Sequence, residues 1–522
     1  MSPADDGPRT EAPYQGMYDP LVAHHARVLD PSRAATLDGD ELQTTLYVAD
    51  TALLSGNPSS DAVDEFVRWA AEVKHIRVEP DPTNVEVFDS GGGSDRQRST
   101  PWVTLVRLSP MAGYALTIDA WSLIQDYRAA LRSQPPGAED SRPDGPIDTS
   151  DQPGRSGSES GPSFRFDNPT TVGLNHLMYA NILGQTMTVG GTMTVGGTMT
   201  VGGTMTVGGT MTVGGGIRYQ YANPGLGGRT PVAYVGPAPL RRHDSATRPV
   251  VALLDTGVGD HPWLIDGVTR VPGPVLDDSE GTGVCHDALE GVLDDFSGHG
   301  TFIAGLLRQS CPDADLIMVK VMGADGFVDE GTMISALEQL ANDHVRGKRR
   351  VDAVSLSFGY YHEMSDAAKT ASLLSSLTYL ADQGVAQVAS AGNDATNRPM
   401  LPAAFSSTIT ALTSVGARNP NGSVALFSNA GDWVDTYWRG AQVLSTLPVT
   451  FAGAVQPTAS TTVEGQARQT LDIDDFSGGF ATWSGTSFAA PAFLGHCLQR
   501  HLGGAGGSLL DTIRDAAADA VR

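Results

Sequence analysis

A carboxylate, an imidazole and a hydroxyl sit at three separated points of this chain, each in a context suited to nucleophilic chemistry. The apolar run at 250–254 ends in Asp255, Thr256 and Gly257, which puts a carboxylate at a strand end. Ser297, Gly298, His299, Gly300 and Thr301 open an apolar helical pattern at 302–307. Ser484, Gly485, Thr486 and Ser487 place a Gly-flanked serine at the start of another. A serine hydroxyl is a poor nucleophile until a base takes its proton, and imidazole titrates near neutrality. These types therefore suit Ser487 as nucleophile, His299 as general base and Asp255 as the group that holds the imidazole tautomer. A helix N-terminus at Ser487 favours developing negative charge. Taken singly, Asp255 reads equally as a strand-end turn residue and His299 as a helix cap.

In the order Asp, His, Ser, the three segments resemble the subtilisin-like serine proteases (subtilases), over roughly the C-terminal half of the chain. The resemblance implies a serine endopeptidase working through an acyl-enzyme on an α/β fold, with a mostly parallel central sheet and helices on both faces. A further apolar run at 385–391 ends in Gly392 and Asn393. There the resemblance implies an oxyanion hole made by the Asn393 side-chain amide and the Ser487 backbone N–H. It also implies cleft walls at Ser357, Phe358 and Gly359, at Gly326 and Phe327, and at Ser390, Ala391 and Gly392, where a peptide would add as a strand. Met400 falls near the base of the first specificity pocket and is expected to shorten it, disfavouring large aromatic residues. Two departures stand out: Phe302 where relatives often carry histidine, and Phe488 where methionine is common.

The elements that position these groups follow from composition shifts. Residues 1–133 read as a small α/β unit, with strands at 44–49 and 102–108 and helical patterns at 61–73, capped by Asp61, and 119–131, capped by Asp119. Residues 134–165 are rich in Pro, Gly, Ser and Asp, and read as a disordered linker. A connector at 166–246 carries Thr-Met-Thr-Val-Gly-Gly five times over 186–215, read as a looped-out expansion, with its flanks packed on the catalytic unit. The peptidase domain spans 247–503, and 504–522 forms a C-terminal helix. For the N-terminal unit the resemblance implies a propeptide that inhibits the catalytic domain in cis, with mature protein starting near residue 240. A recognition module is the alternative, favoured by the linker and repeat that intervene.

Bulk properties narrow the class. The net charge of −25 argues for solubility and against nucleic-acid binding. No apolar run reaches the length of a membrane span, and the start at Met1 lacks a secretory pattern, so a cytoplasmic location is expected, with export by another route left open. Cys285, Cys311 and Cys497 are too few and ill-spaced for a disulfide framework or a zinc site; reduced thiols are expected, with a single Cys285–Cys311 pair as the alternative. No cofactor or metal is expected. Asp277 with Asp278 and Asp294 with Asp295 read as solvated loop carboxylates rather than calcium ligands. Expected partners are protein or peptide substrates. Two rival classes are a silent peptide-binding protein on the same fold and a regulator that cleaves only itself.

Overall fold

The computed structural model describes residues 20–36, 41–56, 60–81, 103–133, 170–180, 228–233, 235–275, 277–284, 291–364, 372–504 and 506–521. The linker at 134–165, the hexapeptide repeat and Cys285 lie outside the described residues.

The N-terminal unit runs β1 (Thr45–Ser55), α1 (Asp61–Lys74), β2 (Ile76–Pro80), β3 (Val103–Pro110), α2 (Ala120–Arg132) and β4 (Val172–Ala180). Its sheet order is β4-β1-β3-β2 with every neighbouring pair antiparallel, the split βαβ arrangement. A short strand, Ala26–Leu29, pairs with the other end of β1. Phe66, Trp69 and Tyr127 from the two helices meet over the sheet, the Phe66 and Tyr127 rings edge-on at 5.0 Å between centroids. The α2 cap is Asp119, as the sequence suggests. The α1 cap is Ser60 rather than Asp61, because the Ser60 hydroxyl accepts the Val63 N–H while Asp61 already lies in the first turn.

Composition sets the end of this unit at 133, but β4, beyond the linker, completes its sheet. Val172 and Leu174 enter the N-terminal core, while Met178 and Ala180 enter the larger core of the catalytic unit. One strand thus belongs to both units, and it is buried along nearly its whole length.

The catalytic unit is built on β6 (Val250–Asp255), β7 (Val268–Val271), β8 (Asp315–Lys320), β10 (Ala353–Leu356), β12 (Ala386–Ser390), β13 (Leu412–Arg418) and β14 (Thr436–Arg439). They form one seven-stranded sheet, order β14-β13-β12-β10-β6-β8-β7, with every pair parallel. Strands buried on both faces read as continuous apolar runs, as Val251 to Leu254 do. The helices fall into two packed groups: α3 (His299–Ser310), α6 (Thr486–Leu502) and α7 (Leu509–Val521) in one, α4 (Glu330–Val345) and α5 (Ser372–Asp382) in the other. A small antiparallel sheet joins β5 (Thr230–Val232), β15 (Val443–Thr446) and β16 (Phe480–Trp483). Two short strands, β9 (Phe327–Asp329) and β11 (Phe358–Gly359), leave the parallel sheet and both pair antiparallel with β4. Among the described residues no helix is long and apolar enough to cross a membrane.

Candidate active site

The carboxyl ends of three interior strands, β6, β10 and β12, and the starts of two helices converge at one end of the parallel sheet. Asp255 ends β6, His299 begins α3 and Ser487 lies in the first turn of α6. All three side chains are buried. His299 Nδ1 donates to Asp255 Oδ1 at 2.7 Å, and Asp255 Oδ1 also accepts the Thr256 N–H at 2.8 Å. Close approach of the two loops requires a glycine at 300: a Cβ there would lie 2.1 Å from the Gly257 carbonyl oxygen.

His299 Nε2 is buried and has no hydrogen-bond partner among the described residues. The imidazole packs against the start of α6, its ring 5.4 Å from that of Phe488 and 5.9 Å from that of Trp483. The Ser487 hydroxyl donates not to this nitrogen but to the Ser357 carbonyl, at 3.0 Å. The Ser357 hydroxyl in turn donates to the Ser487 carbonyl at 3.0 Å. That carbonyl is available because the residue four positions on is Pro491, which has no N–H to give it. Phe302, in place of the common histidine, meets Trp483 edge-on and Phe488 at a tilt, so this side of the imidazole is apolar.

Asn393 stands just past the end of β12. Its Oδ1 accepts from the Thr486 N–H and hydroxyl at 2.9 and 3.0 Å. Its Nδ2 is buried and unpartnered among the described residues. Gly392 adopts φ +103°, and a Cβ there would meet Asn429 Nδ2 at 2.3 Å and Met400 Sδ at 2.4 Å. Met400 is fully buried, and a Cβ on Gly359 would fall 2.9 Å from its Cγ. Its side chain therefore fills the space between the two segments expected to wall the first pocket, Ser357 to Gly359 and Ser390 to Gly392.

The cleft edge expected at Gly326 and Phe327 is occupied. The Ala180 N–H donates to the Gly326 carbonyl at 2.9 Å, and Phe327, Val328 and Asp329 pair with Tyr179, Met178 and Leu177. On the opposite edge, Phe358 pairs with Ala180 and Gly359 with Tyr179. The Tyr179 hydroxyl reaches Asp394 at 3.2 Å, and Tyr361 reaches the same carboxylate at 2.7 Å. Burial pushes the Asp394 pKa up.

Sequence reasoning missed the polar cluster that pins β4. His176 is buried between two carboxylates, its Nδ1 2.6 Å from Glu330 and its Nε2 2.8 Å from Glu363. Burial alone would lower the His176 pKa, but the two carboxylates outweigh it and hold it at about 9. Burial would raise Glu363, and the His176 and His362 rings instead draw it down to about 2. His176, His362 and Glu363 also lie close enough to share a metal ion. Their donor atoms are already engaged, since His362 Nδ1 takes the Met364 N–H and both His176 nitrogens face carboxylates. Asn175, next along β4, donates to Asp329 and accepts the Gly331 N–H, which caps α4 from the N-terminal unit. A lone histidine in an apolar strand gave no signal of this. Asp277, one of the paired loop aspartates, is bound to Lys320 at 2.7 Å. Cys311 and Cys497 are free buried thiols.

The chain is similar in sequence to known serine proteases over part of its length. Subtilisin BL of Lederbergia lenta is 29% identical over 209 residues, which cover 38% of this chain and 66% of the relative. An intracellular serine protease of Paenibacillus polymyxa is 28% identical over 260 residues, covering 47% of this chain and 64% of its own. The chain thus spans about two thirds of the length of these curated relatives. A solved cold adapted subtilisin-like serine proteinase covers 54% of this chain and 86% of its own, at 20% identity and a TM-score of 0.35. The profile of the subtilase family matches residues 246–496, the stretch that supplies all three converging side chains, and marks that stretch as subtilase-like.

Proposed function

We propose that this chain is a serine endopeptidase whose N-terminal unit occupies the substrate cleft in cis. Two buried orphans carry the reading: among the described residues His299 Nε2 is a base with nothing to accept from, and Asn393 Nδ2 a donor with nothing to donate to. Unpaired buried polar atoms are costly, and two of them beside one serine fit a site kept ready for reacting groups. A change of Ser487 rotamer turns its hydroxyl from the Ser357 carbonyl toward Nε2, since catalytic hydrogen bonds are often loose before substrate arrives. Ser487 then attacks the scissile carbonyl, and His299 takes the proton and passes it to the leaving amine. Asp255 holds the imidazole tautomer and stabilises the imidazolium. Asn393 Nδ2 and the Ser487 N–H receive the oxyanion, and water, deprotonated by His299, releases the acyl group.

Substrates would enter as β4 does, adding a strand between β9 and β11. Met400 closes the first pocket to large aromatic side chains. The occupancy of both edges supports the propeptide reading over a recognition module. β4 ends at Ala180, which pairs with Phe358 next to Ser357, so self-cleavage is expected just after it in sequence and not near residue 240. Mass spectrometry of the full chain tests this. The wild type should yield a cut within a few residues after Ala180 that Ser487→Ala abolishes. An uncut wild type that also leaves casein intact would favour a silent binding protein, and self-cleavage without casein hydrolysis a dedicated regulator.

A further inference from the structure

We infer that Glu280 is a positioning residue that locks the Asp255 loop onto the His299 helix; the inference rests on the protease reading above. Glu280 lies in a short helix, Ser279–Thr282, and is buried beneath the catalytic pair. Its Oε1 accepts from the Thr256 hydroxyl at 2.5 Å and from the Gly298 N–H at 3.1 Å, and its Oε2 accepts from the Thr301 hydroxyl at 2.6 Å. The two threonines are crossed. Thr256 follows Asp255, yet its oxygen accepts the N–H of Gly300, which follows His299, at 3.0 Å. Thr301 lies just beyond His299, yet its oxygen accepts the N–H of Gly259, on the Asp255 loop, at 2.9 Å.

Each hydroxyl has one proton, which must point away from the N–H it receives. An ionised carboxylate, acceptor only and with about four lone-pair sites, orients both hydroxyls at once and still takes Gly298. A glutamine has one acceptor oxygen and turns a donor toward one of the hydroxyls. The Gly298 N–H also belongs to the helix entry at α3, where negative charge is favoured by the dipole. Glu280 thus holds the 2.7 Å contact between Asp255 and His299 from outside it, and adds negative charge near the imidazolium that forms during catalysis. Burial pushes the Glu280 pKa up, with Asp255 adding to the shift, while the Thr256 and Thr301 hydroxyls and Lys320 oppose it. Lys320 is held by Asp277 and Ser279. Protonation of Glu280 therefore begins at a less acidic pH than for an ordinary carboxylate and loosens the clamp there.

The test is Glu280→Gln in the full chain, assayed on a peptide p-nitroanilide across pH. The expected result is a fall in kcat of at least about 10-fold with KM within about twofold. The acid limb of kcat/KM should also move to lower pH, because a negative charge near His299 is gone. Thr301→Ser should keep wild-type kinetics, and Thr301→Val should lower kcat in the same sense. A folded Glu280→Gln with unchanged kcat and an unmoved acid limb would overturn the inference. Should Glu280→Gln fail to fold, wild-type kinetics in Thr301→Val would do the same. Wild-type protein that no fluorophosphonate labels once its N-terminal unit has been cleaved or displaced would defeat the protease reading instead, which keeps the two failures apart.

Discussion

Removing the imidazole of His176 should release the N-terminal unit from the cleft. His176→Ala leaves Glu330 and Glu363 buried with no cation between them, although Tyr360 and the Leu373 N–H still donate to Glu330 and the His362 ring still faces Glu363. Breaking a buried ion pair by deleting one partner costs about 3–5 kcal/mol. Titration gives a second route to the same quantity. His176 has a docked pKa of about 9 against an ordinary 6.5, so its contribution is complete below pH 6.5 and is lost as pH rises through 9. A shift of that size corresponds to about 3 kcal/mol, or about 10²-fold in the opening equilibrium. Hydrogen exchange in a Ser487→Ala background, where no self-cleavage intervenes, reads this directly. The Ala180 amide and its neighbours in β4, β9 and β11 should exchange about 10²-fold faster in His176→Ala at neutral pH. The unsubstituted histidine should show the same loss of protection above pH 9, after correction for intrinsic rates. The parallel-sheet amides of β6 and β10 should not change. Protection of β4 that survives both the substitution and alkaline pH would refute the argument, as would a loss spread evenly over the molecule.

Two further outcomes follow from the site. Asn393→Leu should lower kcat by about 10²–10³ with little change in KM, a magnitude established on a subtilisin and not worked out for this chain; steady-state peptide hydrolysis checks it, and an unaltered kcat would remove Asn393 from the oxyanion hole. Met400→Ala vacates the space between Gly359 and Gly392. It should raise kcat/KM for peptides with Phe at the cleavage position about 10-fold relative to those with Ala, as a peptide library would record.

The convergence of Asp255, His299 and Ser487 was legible because local context dictates where each one stands. A strand that ends in Asp255, and helices that begin at His299 and Ser487, need only short stretches of sequence to be recognised. The place of Asn393, just past the end of β12, was legible for the same reason. The role of β4 was not, since a strand buried between two units shows only an apolar run, and its partners lie more than a hundred residues away in β1, β9 and β11. Composition placed a boundary at 133 because the segment after α2 turns polar there, but the sheet continues beyond that segment. The α1 cap was misplaced by one residue, as a Ser–Asp pair offers two side chains of similar capping strength and only geometry chooses Ser60. Glu280 and the His176 cluster gave no signal because their meaning is tertiary. Each is a buried charge whose partners come from several separate elements.

The account stands or falls on a hydroxyl that a neighbouring imidazole activates. Incubation of the full chain with a fluorophosphonate probe, followed by peptide mapping, measures that most directly. One adduct on Ser487 is expected, absent in Ser487→Ala and at least about 10²-fold slower to form in His299→Ala. No adduct on Ser487 after the N-terminal unit has been cleaved or displaced, or equal labelling with His299 removed, would contradict it.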